Sequence, residues 1–221
     1  MASGEDRLRV GFIALGMADG GMARNLTEHP DVSIAAAADK FPAPREVFAR
    51  DFEGEVYEDA AELCKSPNID FVYIATPHQF HKEHVIMAAE LGKHIIVEKP
   101  MALTLEDCDA MIELVDRTGV KLIVGHTHSY DPAIRTMCEV IASGELGKLG
   151  MINTWNYTNF LYWPRRPEEL DTSLGGGILF NQVPHQVDTV RLLGGGKVKT
   201  VCSPQGYGTP LDPQKAATSR S

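Results

Sequence analysis

Basic excess, paired cysteines and long apolar runs are all missing from this chain of 221 residues. Lys and Arg number 21 against 30 Asp and Glu, a formal net charge of −9. A nucleic-acid partner wants a basic field to meet its phosphates, so the balance argues against that class. A small anion held locally by backbone amides is still compatible with it. The four cysteines (Cys64, Cys108, Cys138 and Cys202) stand singly, with no C-x-x-C pair and no metal-type cluster. Scattered thiols fit a reducing compartment. The opening MASGEDRLRV is short and polar and lacks the apolar region of a secretory signal. No apolar run approaches the ~20 residues of a membrane span. A soluble cytoplasmic protein with neither nucleic-acid nor membrane partners is the expectation.

Core-forming material is present, since 43% of the residues are hydrophobic. Short apolar runs occupy Leu8–Leu15, Val32–Ala38, Asp70–Ala75, His94–Val97 and Lys121–Val124. They are nearly continuous rather than alternating, as expected of strands buried on both faces. Helix-like stretches lie between them at Met17–Glu28, Pro44–Phe52, His81–Leu91 and Leu105–Arg117. Thr104 caps the last of these ahead of Glu106 and Asp107, and Gly119 stops it. Ile34–Ala38 is alanine-rich and helical by propensity, but its brevity between Pro30 and Pro42 favours a strand. Strand and helix in alternation predict βαβ units, hence a doubly wound parallel α/β sheet. Beyond His126 the pattern changes. Asp131–Ser143 reads as a helix, Lys148–Phe160 as a strand and Ile178–Leu193 as a helix, with Val198–Val201 as the start of another strand.

Leu8–Gly21 (LRVGFIALGMADGG) runs from a buried strand through a glycine-bearing turn into a helix. Such a turn lets backbone N–H groups and a helix N-terminus face a pyrophosphate. Against G-x-G-x-x-G the three positions are Ala14, Gly16 and Asp19, so only the central glycine is in place. Met17 follows at the helix start. An ordinary βα turn is an open alternative here. Asp39 lies at the end of the second strand, where an acid bonds the adenosine ribose of NAD, although a solvated loop aspartate fits as well. Lys40 beside it keeps NADP open.

In open α/β sheets the ligand lies outside the carboxyl ends of the strands. That rule selects Ala75-Thr76-Pro77-His78, Glu98-Lys99-Pro100 and Gly125-His126-Thr127-His128. Lys99 is stiffly placed before a proline, and partial burial would bring its pKa toward acid–base use. The alternative is a surface lysine paired with Glu98. His78, His81 and His84 read as surface or capping histidines. His126 and His128, at i and i+2 on a strand, would face one side, but no third ligand is evident and no metal is expected. Asn181, His185 and Asp188 fall at i, i+4 and i+7, one face of a single helix. His185 there is either a general acid–base group or a structural histidine.

Two longer segments carry a resemblance. ATPHQFHKEHVIMAAELGKHIIVEKPMALTLED and GGGILFNQVPHQVDTVRLLGG resemble the two hallmark segments of the glucose–fructose oxidoreductase/inositol dehydrogenase/MocA family. Their patterns there are A-T-P-x-x-x-H, G-K-H and E-K-P, then a glycine run followed by D-x-x-x-H-x-x-D. The likeness extends over roughly residues 7–200 and looks closest to the phthalate dihydrodiol dehydrogenase-like branch. It implies a Rossmann domain binding NAD(P) over residues 1–127 and a partial α/β substrate and dimerisation domain over 128–201, before a disordered tail over 202–221. It also implies an NAD(P)-dependent oxidation of a secondary alcohol on a cyclic polyol, sugar or cis-dihydrodiol. By resemblance Lys99 contacts the reacting hydroxyl and His185 is the acid–base group. Thr76, Pro77 and His81 then lie beside the nicotinamide, Ala75, His78 and Glu98 line the same cofactor crevice, and His126, His128, Tyr130 and Trp163 face the substrate.

Three departures qualify these expectations. Ala14 and Asp19 degrade the glycine fingerprint. Asn181 replaces the family's aspartate, so it orients a hydroxyl but takes no proton. Family members also continue through further strands that the polar stretch after Val201 does not resemble. A truncated or frame-shifted product is expected on that ground, and a non-catalytic nucleotide-binding remnant is the rival to the enzyme. A metal-dependent hydrolase using His126 and His128 is a third reading. Association of copies through the C-terminal sheet is the expected oligomeric contact.

Overall fold

The computed structural model describes residues 7–157 and 164–202. Packing divides them into two units. The first holds the residues up to His126 together with Thr172–Gly175, and the second holds Thr127–Asp171 and the residues from Gly176 onward.

In the first unit the order is β1 (Leu8–Ile13), α1 (Met17–Thr27), β2 (Val32–Ala38), α2 (Pro42–Phe52), β3 (Glu55–Tyr57), α3 (Ala60–Lys65), β4 (Phe71–Ile74), α4 (His81–Glu90), β5 (His94–Val97), α5 (Leu105–Thr118) and β6 (Leu122–Val124). Every strand pairs in parallel, in the spatial order β3-β2-β1-β4-β5-β6. This is the doubly wound arrangement, and the strand order reverses between β1 and β4. The apolar runs read from the sequence fall on β1, β2, β4, β5 and β6.

The continuity of those runs has a direct cause, because both faces of the sheet are covered. Ile13, Ala36, Ala38, Val72, Ile74, Ile95 and Val97 pack with Val85 and Ala88 of α4 and Met111 and Leu114 of α5. Val10, Phe12, Ala37, Phe71 and Tyr73 pack on the opposite face with Ala23 of α1 and Phe48 of α2. Phe12 centres an aromatic group there, 5.7 Å from Tyr73 and 6.2 Å from Phe48 between ring centroids. Burial therefore overrides the helical propensity of the alanines in β2. Local chemistry sets the helix ends. Thr104 Oγ1 accepts the Asp107 N–H at 3.1 Å, and Gly119 closes α5 at φ 73°. Among the described residues no helix is long and apolar enough to cross a membrane.

The second unit, among its described residues, is helical. A 3-10 turn at Thr127–Tyr130 leads to α6 (Pro132–Ser143), then α7 (Pro167–Leu170), α8 (Gly177–Asn181) and α9 (Val183–Leu193). The turn and α6 both pack against α9.

Three local expectations are corrected here. Residues 148–157 form no strand, and neither does Val198–Val201. A strand needs a ladder partner, and no extended segment pairs with either among the described residues of this unit. Met151, Trp155 and Tyr157 are accordingly 78–88% exposed. The single helix expected over Ile178–Leu193 is interrupted at Gln182, which ends α8 and begins α9. Pro184 causes this, since its missing N–H and its ring are incompatible with an unbroken preceding turn. Finally, β6 stops at Val124, so His126 and His128 do not share a strand face. The tail expected to be disordered lies, past Cys202, outside the described residues.

Candidate functional site

The carboxyl ends of the strands are joined by backbone hydrogen bonds. Ala14 N donates to Ala38 O at 2.9 Å, Ala75 N to Ile13 O at 3.1 Å, Glu98 N to Ile74 O at 2.9 Å and Gly125 N to Val97 O at 2.8 Å. These bonds set the segments after β1, β2, β4, β5 and β6 side by side in the first unit, around the β1/β4 reversal.

After β1 the backbone turns through Ala14 at φ 71°. That left-handed conformation is why the first fingerprint position is ordinarily glycine. The turn keeps the required backbone shape although the side chain hides it from the sequence. Gly16 follows on the surface, and a Cβ built on it meets no heavy atom within 4 Å. Open space at this point, just ahead of α1, is what the close approach of a pyrophosphate needs. The residues present thus fit a dinucleotide. Ala14→Gly is expected to raise stability by about 0.5–1 kcal/mol, the relieved left-handed strain less the entropy of the new glycine. Urea unfolding checks this, and a lower midpoint would contradict it.

Asp39 ends β2 and ties it to this turn. One carboxylate oxygen accepts Leu15 N–H at 2.8 Å and the other accepts Phe41 N–H at 2.9 Å. A carboxylate has further lone pairs, so ribose hydroxyls can still be accepted. Arg45, which sequence reasoning did not single out, donates to the Asp39 carbonyl at 2.5 Å. Lys40 lies exposed with its ammonium 4.9 Å from the Phe41 ring centroid.

The segment after β4 is held by histidines. His81 is fully buried at 0% exposure, not at the surface. Its Nδ1 lies 2.8 Å from Pro100 O and its Nε2 2.9 Å from Thr76 O, so it bridges the turns that follow β4 and β5. His84 Nδ1 meets Thr76 Oγ1 at 3.2 Å. His78 stands edge-on to His81, and its Nδ1 meets Gly175 O at 2.9 Å. Burial pushes all three below the ordinary histidine range. For His81 the Pro100 and Thr76 carbonyls and the Glu98 charge oppose that push. A signal for this was present in the sequence. His81, Val85 and Ala88 lie at i, i+4 and i+7, the buried face of α4.

Glu98 and Lys99 follow β5. Tyr73 Oη donates to one Glu98 oxygen from the core, and Lys99 N donates to the other at 3.3 Å. Tyr73 was not foreseen as a support for this site. Lys99 is half-buried, and its peptide bond to Pro100 is cis. Burial lowers the Lys99 pKa, with Glu98 pulling it back up.

In the second unit, the His185 and His128 rings stack at 4.0 Å between centroids with 18° between planes. Asp188, on α9 with His185, accepts from Ser129 Oγ and from Arg191 at 3.0 Å. Asn181 ends α8 rather than sharing a helix with His185, and its amide donates to Gly177 O at 2.8 Å. Tyr130 is exposed, with the Arg135 guanidinium 5.0 Å from its ring. Trp163 lies outside the described residues, and the Met17 side chain is likewise not described. Among the described residues no three His, Cys, Asp or Glu side chains converge as a metal set.

Residues 8–126 match the oxidoreductase family with an NAD-binding Rossmann fold, GFO/IDH/MocA, and residues 134–214 match the GFO/IDH/MocA C-terminal domain. The chain belongs to this family. A curated relative, 1-carboxy-3-chloro-3,4-dihydroxycyclo hexa-1,5-diene dehydrogenase of Comamonas testosteroni, is 47% identical over 89% of this chain and 50% of its own length. The scyllo-inositol 2-dehydrogenase (NAD(+)) of Bacillus subtilis (strain 168) is 33% identical over 94% of this chain and 59% of its own. A crystal structure from Bordetella bronchiseptica RB50 superposes with a TM-score of 0.82 at 48% identity, covering 86% of this chain and 50% of that one. The chain therefore spans about half the length of these relatives. The NAD expectation agrees with the description of the family.

Proposed function

We propose that the crevice at the β1/β4 reversal holds NAD(H), and that the protein oxidises a secondary alcohol on a six-membered ring bearing neighbouring hydroxyls. The observation that carries this is Lys99. A lysine whose ammonium form is disfavoured by burial sits at the end of β5, in the same row of strand ends as the β1 turn that fits the cofactor, with β4 between them. The ring-diol class draws support from two of the relatives, a dihydroxycyclohexadiene dehydrogenase and an inositol dehydrogenase.

The role of each residue follows from its chemistry. Gly16 lets the backbone approach the pyrophosphate, and Asp39 accepts from the adenosine ribose, which favours NAD over NADP. Bound NAD+ supplies the two-electron acceptor. Lys99 Nζ holds the substrate hydroxyl and takes its proton as the C–H bond is lost and the carbonyl forms. In the second unit, the family resemblance makes His185 a group that passes a proton onward and lets Asn181 orient a hydroxyl through its amide. His81 holds the backbone on both sides of the nicotinamide end.

The test is an assay of the full chain with NAD+ or NADP+ against inositols, a cis-dihydrodiol and acyclic secondary alcohols. Reduced cofactor is expected with ring diols and NAD+. Failure on every ring diol, or turnover confined to acyclic alcohols, would contradict the proposal.

A further inference from the structure

The 3-10 turn Thr127–Tyr130 is fastened to its unit at two points that do not involve the His128 side chain. Ser129 Oγ donates to Asp188 of α9. On the other side, Asp131 caps α6 by accepting the Ala133 N–H at 2.8 Å, and its own N–H donates to His128 O at 3.1 Å. The His128 ring is exposed, so it contributes little buried area to the fold. What it does contribute is a flat face, stacked at 4.0 Å and 18° on the ring of His185.

His185 has a particular need of such a face. It lies in the first turn of α9, two residues after the start of that helix. A helical side chain leans back over the turn that precedes it. For His185 that turn is interrupted at Gln182, where α8 ends. The support a continuous helix gives its own side chains is broken at this point, and a ring from another segment stands in its place.

We propose that His128 is a positioning residue for His185, fixing the plane of its imidazole by stacking. The proposal rests on the reading of His185 as the group that passes the proton onward. The geometry suits that task, since the lone pair and the N–H of an imidazole lie in the ring plane. A stack covers the face and leaves the in-plane directions to hydrogen-bonded partners. It replaces the expectation that His128 chiefly meets the substrate. Ser129 and Asp188 set the height of the turn on α9, and so the placing of the stack.

The experiment compares His128→Ala and His128→Phe in the full chain, with two readouts. Turnover of a ring diol by the alanine variant is expected to fall about tenfold in kcat with KM little changed, because orientation is lost and binding is not. The phenylalanine variant, which keeps a flat ring, is expected to recover most of that loss. An alanine variant with wild-type kcat, or a phenylalanine variant as slow as the alanine one, would overturn the proposal. The second readout needs no turnover. In the chain without cofactor, the His185 ring-proton resonances carry a ring-current displacement that His128→Ala removes and His128→Phe retains. If the wild-type chain oxidises no ring diol, the proposed function fails and these resonances alone decide the stacking. Resonances that do not move in the alanine variant would overturn it.

Discussion

Replacing Lys99 by methionine is expected to lower kcat about a thousandfold while NADH affinity stays within about threefold, the scale at which a positioned proton-transfer group acts. Methionine keeps the apolar stem of the side chain and removes only the amine. The loss therefore falls on the chemical step rather than on packing around Pro100. The arginine variant separates two roles. Arginine retains the positive charge but does not give up its proton at accessible pH. If Lys99 works as an acid–base group, Lys99→Arg is nearly as slow as Lys99→Met. If charge alone matters, Lys99→Arg is active. The depressed Lys99 pKa, caused by burial against the pull of Glu98, favours the first outcome. Steady-state kinetics with NADH fluorescence titration on each variant checks it, and a methionine variant with ordinary kcat would remove Lys99 from the mechanism.

Removing the His81 imidazole is expected to destabilise the first unit by about 3–5 kcal/mol, well above the effect of an ordinary surface change. The side chain is fully buried, and its two nitrogens serve Pro100 O and Thr76 O. His81→Ala leaves the one carbonyl that the neutral ring donates to without its donor, at roughly 1–3 kcal/mol, and adds a cavity. The same histidine predicts acid lability. Burial lowers its pKa, so in acid the unfolded chain takes up this proton before the folded one does. The stabilisation is present above the ordinary histidine pKa of about 6.5 and is lost as pH falls below it. His78 and His84 are shifted in the same direction and steepen the loss. Denaturant unfolding across the acid range is expected to show stability falling below about pH 6.5, less steeply in His81→Ala. A variant within about 1 kcal/mol of wild type, with an unchanged acid slope, would contradict this role.

The doubly wound sheet was legible because its strands are buried on both faces, which leaves continuous apolar runs. The observed bounds of β2 and β5 coincide with runs read from the sequence. β3 and α3 were not legible. β3 is three largely exposed residues, Glu55–Tyr57, too short for any period to register. The first fingerprint position was only half legible. A glycine count scores Ala14 as a failure, whereas its backbone adopts the left-handed shape a glycine would have. His81 was misread through its residue type, although its place on the Val85–Ala88 face of α4 pointed inward. The expected alignment of Asn181 with His185 failed on Pro184, which divides the helix between them. Strand-like alternation at 148–157 was a pattern without a partner, and pairing with a neighbour is what turns such a pattern into a strand. The stack of His128 on His185 joins two separate segments, and no local spacing encodes it.

The central claim is that the β1 turn and the end of β2 form a dinucleotide seat. Calorimetric titration of NADH into the full chain tests it most directly, with Gly16→Val measured alongside. A Cβ at Gly16 meets no protein atom within 4 Å, so valine there is expected to leave folding intact and to fill the space the pyrophosphate needs. The account predicts one NADH per chain, displaced by NAD+, with binding lost in Gly16→Val while its unfolding midpoint stays that of the wild type. No binding by the wild-type chain, or equal binding by a folded Gly16→Val, would contradict it.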